Sequence, residues 1–222
     1  MVPGEINGET AIPFQGVGKY KPAGKKHAPS VASCSDYPAD GNKLVKDLQT
    51  ALEKAGLRDG MTISTHHHFR DGDFLANQVF NIANKMGVKG LRWFPSASFP
   101  CHEHLIQYLQ DGTIQRIEGS MNGPLGRFVS EGGMEGTGVL RSHGGRYQAV
   151  QDGEVKIDIA VIGAPTADEF GNANGLWGDS ACGLLGFALA DSQYAEKVIV
   201  ATDNPVPFPC VPWQLPLIHI SE

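Results

Sequence analysis

One stretch of apolar sequence constrains the fold of this chain more than any other feature. Residues 155–165, VKIDIAVIGAP, are almost continuously apolar and rich in β-branched side chains. A strand with one face in water alternates apolar and polar residues, whereas a continuous apolar run is typical of a strand buried on both faces of a parallel sheet. Residues 197–203, KVIVATD, repeat the pattern. The sequence therefore predicts a buried parallel sheet.

Helical patterns alternate with these strand patterns along the chain. Strands are predicted at residues 61–64, 90–94, 113–118, 155–163 and 197–202. Helices are predicted at residues 42–56, 74–87, 102–112 and 124–133. Because strands that alternate with helices join into a parallel sheet through helical crossovers, this order predicts an α/β fold with helices packed over the sheet.

The predicted domain organisation has three parts. Residues 1–42 are polar, rich in Gly, Pro and Lys and without a sustained period, which predicts an extended N-terminal arm. Residues 43–210 carry the strand and helix patterns and are predicted to form one α/β domain. Residues 211–222 are apolar without a cap or charged tail, so we expect them to begin a linker or second domain of a longer, truncated chain.

Composition narrows the class of protein. The 18 Lys and Arg residues against 24 Asp and Glu residues give a net charge of −6, the wrong sign for nucleic-acid binding. A membrane-spanning run and a signal-peptide pattern are lacking, so we expect a cytoplasmic protein without a membrane partner. The four cysteines form no C-x-x-C pair, which disfavours zinc and redox motifs.

The loop THHHFRDGD, residues 65–73, is the first candidate site. It follows a predicted strand and precedes a predicted helix, the position where open α/β sheets bind ligands. A helix N-terminus and an arginine both suit a carboxylate or phosphate. Adjacent histidines have poor spacing for a metal, and Asp71 and Asp73 are alternatively helix caps. The predicted substrate-binding residues here are Thr65, His66, His67, His68, Arg70 and Gly72.

A glycine-rich segment at residues 120–145 is the second candidate. It contains neither a phosphate loop ending in GK[ST] nor GxGxxG after a strand, which disfavours nucleotide binding. We interpret it as a wall whose backbone N–H groups approach a thioester or carboxylate, and the alternative is a loop that needs positive φ angles. The predicted binding residues are Asn122, Gly132, Gly133, Gly136, Thr137 and Gly138.

Residues 167–175, ADEFGNANG, follow the buried strand and form the third candidate. They place Glu169, Asn172 and Asn174 at its carboxyl end, with a simple turn as the alternative, and the predicted substrate-binding residues here are Gly171 and Asn172. His102 and His104 lie two residues apart in a predicted helix, so their side chains diverge and a metal site is disfavoured. An esterase nucleophile elbow, GxSxG, is absent from the sequence.

Three segments together resemble the citrate lyase alpha subunit family. They are GLRDGMTISTHHHFRDGDFLANQVF, GSMNGPLGRFVSEGGMEGTGVLRSHGGR and IDIAVIGAPTADEFGNANG, and the resemblance runs from about Gly18 to the end of the chain. The order of the loops is also similar to coenzyme A transferases. Residues 65–73 stand where those enzymes carry a first glycine-rich loop, and Asp168, Gly171 and Asn172 match their D-x-x-GN turn.

The resemblance implies a fold and an activity. The implied fold is a doubly wound, mostly parallel α/β sheet of the coenzyme A transferase type, present here as the first half of a two-domain chain. The implied activity is the transfer of an acyl carrier protein from its acetyl thioester to citrate, which forms citryl-carrier and acetate. The citryl-carrier is then cleaved to oxaloacetate and acetyl-carrier. Classical coenzyme A transferases use a covalent glutamate from the second half, whereas the resemblance to the citrate lyase type implies a reaction through an anhydride without it. No catalytic residue is assigned here.

The resemblance also implies partners. These are a beta subunit that cleaves the citryl-carrier and a gamma acyl carrier protein that bears phosphoribosyl dephospho-coenzyme A, with acetyl-CoA as a surrogate. A homo-oligomer is expected, and neither a metal nor a covalently bound cofactor is expected on this chain. The alternatives are a coenzyme A transferase for another small carboxylic acid, a non-catalytic scaffold or fragment of the lyase complex, and a sugar-phosphate isomerase of the same fold.

Overall fold

The computed structural model describes residues 5–6, 9–10 and 43–210. Within the first 42 residues, β1 (Glu5–Ile6) and β2 (Glu9–Thr10) pair in antiparallel fashion. The rest of the predicted N-terminal arm and the apolar segment at 211–222 lie outside the described residues. The predicted division into three parts stays a prediction.

Strands and helices alternate through the described part of the chain. In chain order they are α1 (Leu48–Lys54), β3 (Thr62–Thr65), α2 (Leu75–Lys85), β4 (Leu91–Pro95), α3 (Ile106–Gln110), β5 (Ile114–Ile117), α4 (Gly123–Ser130), α5 (His143–Gln151), β6 (Ile159–Gly163), β7 (Thr166–Ala167), β8 (Ala173–Asn174), α6 (Gly186–Tyr194) and β9 (Lys197–Ala201). Short 3-10 helices form at Arg70–Gly72 and Pro100–Leu105.

The five longer strands form one parallel sheet in the order β5-β4-β3-β6-β9. Each of the five predicted strands is one of these, which confirms the α/β prediction. β6, which contains the constraining apolar run, pairs with β3 on one side and β9 on the other, and all five of its residues are buried. The chain builds outward in one direction from β3 and in the other from β6, so a topological switch point lies between them.

Helices cover both faces of the sheet, which confirms the doubly wound fold. On one face, Ile63, Trp93 and Ile159 pack in the larger hydrophobic cluster with buried residues of α1 and α2. On the opposite face, Phe94 and Ala160 pack in a second cluster with residues of α5 and α6. Successive residues of one strand thus enter different cores, which explains the continuous apolar run.

Several predicted boundaries shift for local reasons. The helix predicted from residue 42 begins at Leu48, because Asp47 caps it by accepting the Thr50 N–H at 2.7 Å. The strand predicted from residue 155 begins at Ile159, because the Val155 N–H donates to Ala149 and closes α5 instead. Helices α5 and α6 were not predicted, since glycines and small residues mask their periodicity. No helix in the described ranges is long and apolar enough to cross a bilayer.

Candidate functional site

The candidate site lies at the carboxyl ends of β3 and β6, which are neighbours in the sheet. The chain leaves β3 toward the face covered by α2 and leaves β6 toward the face covered by α6, so a crevice opens between the two connections. Open α/β sheets bind ligands in this position. Thr65 ends β3 and is buried, with its Oγ1 accepting a hydrogen bond from the Trp93 indole at 2.9 Å. His66, His67 and His68, called here the histidine run, follow directly.

His66 is the most enclosed member of the histidine run, with 4% of its surface exposed. Its Nε2 lies 2.9 Å from Oδ2 of Asp191 in α6, while its Nδ1 has no hydrogen-bond partner among the described residues. Burial by itself raises the pKa of Asp191, but the His66 hydrogen bond and the His66 and Arg146 charges outweigh it and hold that pKa well below its usual range. Asp191 is therefore an ionised acceptor, and the shared proton belongs to His66 Nε2.

Arg146, in the first turn of α5, neutralises Asp191. Its Nη1 lies 3.1 Å from Oδ1 and its Nη2 2.8 Å from Oδ2 of that carboxylate. The same guanidinium donates to Ser64 Oγ at 2.7 Å and stacks 4.3 Å from the centre of the Phe94 ring. Ser64 also hydrogen-bonds to Asp191. Ser64, His66, Arg146 and Asp191 form what we call the buried polar cluster, which joins β3, α5 and α6 beneath the site.

His67 turns away from this cluster toward the crevice. Its backbone N–H donates to Oγ of Ser96 at 3.1 Å, and its ring Nδ1 lies 2.5 Å from the same oxygen. The ring also lies 5.5 Å from Phe99 and 6.3 Å from His143. Burial, together with the positive charge of Arg70 and neighbouring histidines, lowers the pKa of His67 to about 4. The imidazole is therefore neutral near pH 7.

His68 stacks on His66, with the ring centres 5.3 Å apart and the planes 9° from parallel. Burial lowers the pKa of His68 to about 3, with smaller contributions from the other two histidines. Its Nε2 is enclosed and has no hydrogen-bond partner in the described part of the chain. His67 and His68 thus offer neutral hydrogen-bonding groups rather than cations.

Arg70 is the exposed cation next to the histidine run. It opens the 3-10 helix Arg70–Gly72 with a φ of 57°, the one non-glycine residue in the described ranges with a positive φ. Its guanidinium makes no hydrogen bond or ion pair with another described residue, yet its charge acts on His67. The backbone thus holds an unpaired cation at the lip of the crevice.

Of the two aspartates of the loop, Asp73 bonds the start of α2, which is the alternative left open by the sequence, whereas Asp71 bonds the 3-10 helix Pro100–Leu105. Asp73 Oδ1 accepts the Leu75 N–H at 3.1 Å, and Asp71 Oδ1 accepts the Cys101 N–H at 2.8 Å. Burial raises the pKa of Asp73 to about 6, against the lowering effect of the Leu75 hydrogen bond. Gly72, between them, is exposed. Asp73 thus places a carboxylate at the start of α2 and accepts one of the N–H groups of that helix end.

The predicted residues of the glycine-rich segment lie around α4. Asn122 precedes that helix and is tied to Ser98, with its N–H donating to Ser98 Oγ at 2.9 Å. Gly132 ends the helix with a φ of +82°, and Gly136 turns with a φ of +85°, which matches the alternative of a loop that needs positive φ. Gly133, Thr137 and Gly138 complete this loop. No hydrogen bond joins these residues to the histidine run within 43–210.

The later part of the same segment approaches the histidine run instead. Ser142 caps α5 by accepting the Gly145 N–H at 3.0 Å. His143 follows it, 5.0 Å from the Phe187 ring and within reach of His67. The start of α5, rather than the turn after α4, is therefore the glycine-rich wall nearest to residues 66–70.

The 167–175 segment forms a tight turn. Asp168 Oδ1 accepts the backbone N–H groups of Phe170 and Asn172, both at 3.0 Å. The Asn172 side chain is also held by Asp168, and Gly171 adopts a φ of +88° that the turn requires. Burial by itself raises the pKa of Asp168, but hydrogen bonds from Asn172, Cys210 and Phe170 outweigh it and lower that pKa. Asp168 thus organises the backbone of this turn, which follows the carboxyl end of β6.

Among the described residues, no group of three or more His, Cys, Asp or Glu side chains is arranged so that it could hold a metal ion. His102 is buried and accepts the Phe99 N–H at 2.9 Å, whereas His104 is exposed and lies 2.6 Å from the Gln107 amide. Both histidines therefore have local structural partners.

Sequence reasoning missed four residues that the structure brings to the histidine run: Ser64, Ser96, Arg146 and Asp191. Arg146 lies within the quoted glycine-rich motif, but a lone arginine after two glycines reads as a surface residue. Asp191 ends an apolar stretch of small residues, GFALAD, and an isolated acid in an apolar segment is a signal in the sequence for a buried charge.

The chain is similar to one family across most of its length. A family model described as citrate lyase, alpha subunit (CitF), matches residues 41–218. The citrate lyase alpha chain of Escherichia coli (strain K12) is 42% identical over 172 residues, which make up 77% of this chain and 34% of that protein. The citrate lyase alpha chain of Klebsiella pneumoniae is 43% identical over 171 residues, with the same coverage. The chain thus spans about a third of the length of these relatives.

The fold is also similar to a solved structure. A crystal structure of the alpha subunit of citrate lyase from Streptococcus mutans, described as a complex with citrate, superposes with a TM-score of 0.81 at 39% identity. The match covers 87% of this chain and 38% of that one.

Proposed function

The chain belongs to the citrate lyase alpha subunit family, and from this membership we propose that it forms the acid-binding part of a citrate acyl-carrier transferase. In the proposed reaction, citrate replaces the acetyl group of a carrier thioester, which yields citryl-carrier and acetate. The observation that carries the proposal is the unpaired guanidinium of Arg70 beside the neutral imidazoles of His67 and His68 at the switch point of the sheet. The Streptococcus mutans relative in complex with citrate supports the choice of acid.

The charge of Arg70 suits the acid. Citrate carries three carboxylates at neutral pH, so its site needs a cation that is not already neutralised. A guanidinium pairs with a carboxylate through two parallel hydrogen bonds, which adds orientation to attraction. Among the described residues around the crevice, Arg146 is paired with Asp191, whereas the guanidinium of Arg70 has all of its hydrogen-bond donors free.

The backbone of Arg70 supports a role for its side chain. A non-glycine residue in the left-handed region costs about 1–2 kcal/mol relative to an ordinary conformation, and glycine avoids that cost. Arg70 has a φ of 57°, although glycine would adopt this conformation without strain and already occupies position 72 of the same loop. Strain of this type clusters at ligand sites, where the side chain offsets its cost.

We further propose the partners of this reaction. The acyl group would arrive on a gamma acyl carrier protein bearing phosphoribosyl dephospho-coenzyme A, with acetyl-CoA as a surrogate donor, and a beta subunit would cleave the citryl product. A homo-oligomeric assembly and a cytoplasmic location stay predictions of the same kind. Family membership supports the carrier and the beta subunit, since citrate lyase is the enzyme named for each relative.

The test uses Arg70 variants of the full-length protein and titration calorimetry with citrate. Loss of a charged hydrogen-bonding partner costs about 1.5–3 kcal/mol, so Arg70→Ala should weaken citrate binding by roughly ten- to hundredfold. Arg70→Lys should recover part of the loss, because lysine keeps the charge without the fork. Arg70→Gly should lose citrate affinity while its melting temperature stays level or rises, because glycine relieves the φ strain.

Arg58→Ala is the matched control. Arg58 is an exposed arginine in the turn before β3, at the opposite end of the strand that leads to the histidine run. Its substitution should leave citrate affinity within about twofold of the wild type, as expected for a solvated arginine. A folded Arg70→Gly protein that binds citrate as tightly as the Arg58→Ala control would contradict the proposal.

A further inference from the structure

A single serine oxygen makes two contacts with His67. Ser96 follows β4 and is 4% exposed, and its Oγ receives the backbone N–H of His67 at 3.1 Å. The same Oγ lies 2.5 Å from the ring Nδ1 of His67. The backbone and the ring of His67 thus both contact Ser96 Oγ, and these two contacts fix the orientation of the imidazole relative to the loop.

The hydroxyl proton of Ser96 determines which nitrogen of His67 is protonated. A serine hydroxyl has one proton to donate and lone pairs that accept. Its Oγ already accepts the backbone N–H, and the described residues provide no other acceptor for its proton than His67 Nδ1. The hydroxyl therefore donates to Nδ1, and the proton of the neutral imidazole lies on Nε2.

The ring stays neutral in its surroundings. The charged and titratable groups that face His67 are Arg70, His143, His66 and Arg146, and all of them oppose a positive charge on it. Together with burial they lower the pKa of His67 to about 4. Near pH 7 the ring is therefore a neutral donor through Nε2.

The surroundings of Nε2 suit a reacting group. The rings of Phe99 and Phe187 lie 5.5 and 6.3 Å from the imidazole and form apolar walls. A hydrogen bond is stronger in such apolar surroundings than in water. Nε2 itself has no partner within residues 43–210, and the half-buried ring stands at the carboxyl end of β3. Arg70, the proposed acid-binding residue, is three residues further along the chain.

We propose that His67 is a catalytic residue that donates a hydrogen bond from Nε2 to the carbonyl oxygen of the acyl group in transfer, and that Ser96 is the positioning residue that keeps the proton on Nε2. This inference rests on the proposed function. When a citrate carboxylate oxygen attacks the thioester carbon, a C–O bond forms and the π electron pair of the carbonyl moves onto its oxygen. The Nε2–H group stabilises that oxyanion.

The proposed step balances without proton transfer. As the oxyanion collapses, the C–S bond breaks and the thiolate leaves, which gives a mixed anhydride of citrate and acetate. The thiolate then attacks the citryl carbonyl and acetate departs with its electron pair. A neutral donor fits this sequence because it stabilises each oxyanion and gives up no proton to it.

The first test compares two amide replacements in the full-length protein, with an acetylated carrier and citrate as substrates. The amide nitrogen of glutamine reaches the position of Nε2, whereas that of asparagine reaches only the position of Nδ1. His67→Asn should lower kcat by roughly 10²–10³-fold with little change in the KM for citrate, the loss expected for one oxyanion donor. His67→Gln should be at least about tenfold more active than His67→Asn, because it retains the donor.

The second test examines Ser96. Ser96→Ala removes the proton donated to Nδ1 and should redistribute the imidazole proton, which lowers kcat by at least about tenfold because part of the population has the wrong tautomer. Ser96→Thr keeps a hydroxyl and should restore most of that activity. Nitrogen NMR of ¹⁵N-histidine-labelled protein should show His67 protonated on Nε2 in the wild type and a mixture of tautomers in Ser96→Ala.

Ser98→Ala is the matched control for the NMR experiment, since Ser98 is a buried serine of the same loop that contacts Asn122 instead. It should leave the His67 tautomer unchanged. A wild-type protein with the His67 proton on Nδ1, or equal kcat values for His67→Asn and His67→Gln, would overturn the inference. A full-length protein that transfers no acyl group to citrate would refute the proposed function, and the tautomer measurement would still decide between the two assignments of the His67 proton.

Discussion

The charged residues at this site are of two kinds. Arg146 and Asp191 are buried and paired, whereas Arg70 is exposed and unpaired among the described residues. Arg146 and Asp191 lie in the core as an ion pair, and the exposed fraction of each is at most 1%. A buried pair of opposite charges contributes little net stability compared with apolar residues, but loss of one partner is costly because the other charge stays buried. The pair is better explained by what it holds, namely His66 at the base of the histidine run.

This view predicts a strong asymmetry between single and double substitutions. Asp191→Asn leaves the Arg146 charge uncompensated and should lower the free energy of unfolding by about 3–5 kcal/mol. The double substitution Arg146→Met with Asp191→Leu should lose less than the sum of the single substitutions, because it removes both charges. Urea unfolding of the wild type, Asp191→Asn, the single variants Arg146→Met and Asp191→Leu, and the double variant measures the difference.

Glu154→Gln is the control for this experiment. Glu154 is an exposed carboxylate paired with Arg141 at 2.5 Å, and an exposed pair contributes under about 1 kcal/mol. An Asp191→Asn protein no less stable than Glu154→Gln would show that the buried cluster is not an obligatory pair.

At the scale of secondary structure, the site depends on how closely a loop approaches a strand end. Gly163 ends β6, and a Cβ atom placed there would lie 2.7 Å from Cε2 of Phe69 and 3.4 Å from Cδ2 of Leu75. Phe69 joins the histidine run to Arg70. Because Gly163 has no side chain, the Phe69 ring packs over the end of β6 and brings the loop of β3 onto the neighbouring strand.

We therefore expect Gly163→Ala to destabilise the protein through Phe69. Insertion of a methyl group into a packed site typically costs about 1–3 kcal/mol, and the displaced ring should carry Arg70 with it and weaken the citrate binding that we propose for this site. Adding Phe69→Leu should recover part of the stability, since the smaller side chain leaves room for the methyl group. Unfolding and calorimetry on the single and double variants measure this coupling.

A substitution in open space provides the comparison. Gly186 begins α6, and a Cβ atom there would meet nothing within 4 Å. Gly186→Ala should be neutral or slightly stabilising, because alanine has less backbone freedom to lose. Additive effects of Gly163→Ala and Phe69→Leu would contradict the packing argument.

For the whole molecule, buried titratable groups set the response to pH. Burial lowers the pKa of His68 from 6.5 to about 3, so below pH 6.5 the unfolded chain binds a proton at His68 that the folded chain does not bind. The stability that buried, neutral His68 contributes is present above pH 6.5 and is lost as the pH falls below that value. Burial raises the pKa of Asp73 from 3.8 to about 6, so its cost to stability is relieved as the pH falls through 6. His67 acts in the same direction as His68.

The two buried histidines outweigh one aspartate, so the free energy of unfolding should fall between about pH 7 and pH 5. Each proton taken up only by the unfolded chain costs at most about 1.4 kcal/mol per pH unit. His68→Gln should flatten the decline, and Asp73→Asn should steepen it. Urea midpoints at both pH values measure these slopes, with the exposed His104→Gln as control. A His68→Gln protein that declines as steeply as the His104→Gln control would refute the assignment.

The sequence by itself determined the sheet and the family. All five predicted strands are strands, because an apolar run of β-branched residues such as 159–163 has few ways to avoid water other than burial on both faces. Long motifs such as THHHFRDGD carried the family resemblance, which the family model and the relatives confirm. The position of the loops was also predictable from the sequence, because the residues that follow a parallel strand emerge at the carboxyl end of that strand.

Only the tertiary structure decided which residues meet at the site. His66 contacts Asp191 across 125 residues of sequence, and Ser64 contacts Arg146 across 82. Local patterns do not encode such pairs, because a charged residue appears suited to the surface until its partner is known. Strand order brought them together: β6 lies beside β3 and places α5 and α6 beneath the histidine run. Burial then made the difference, since the same side chains in water would not pair so tightly.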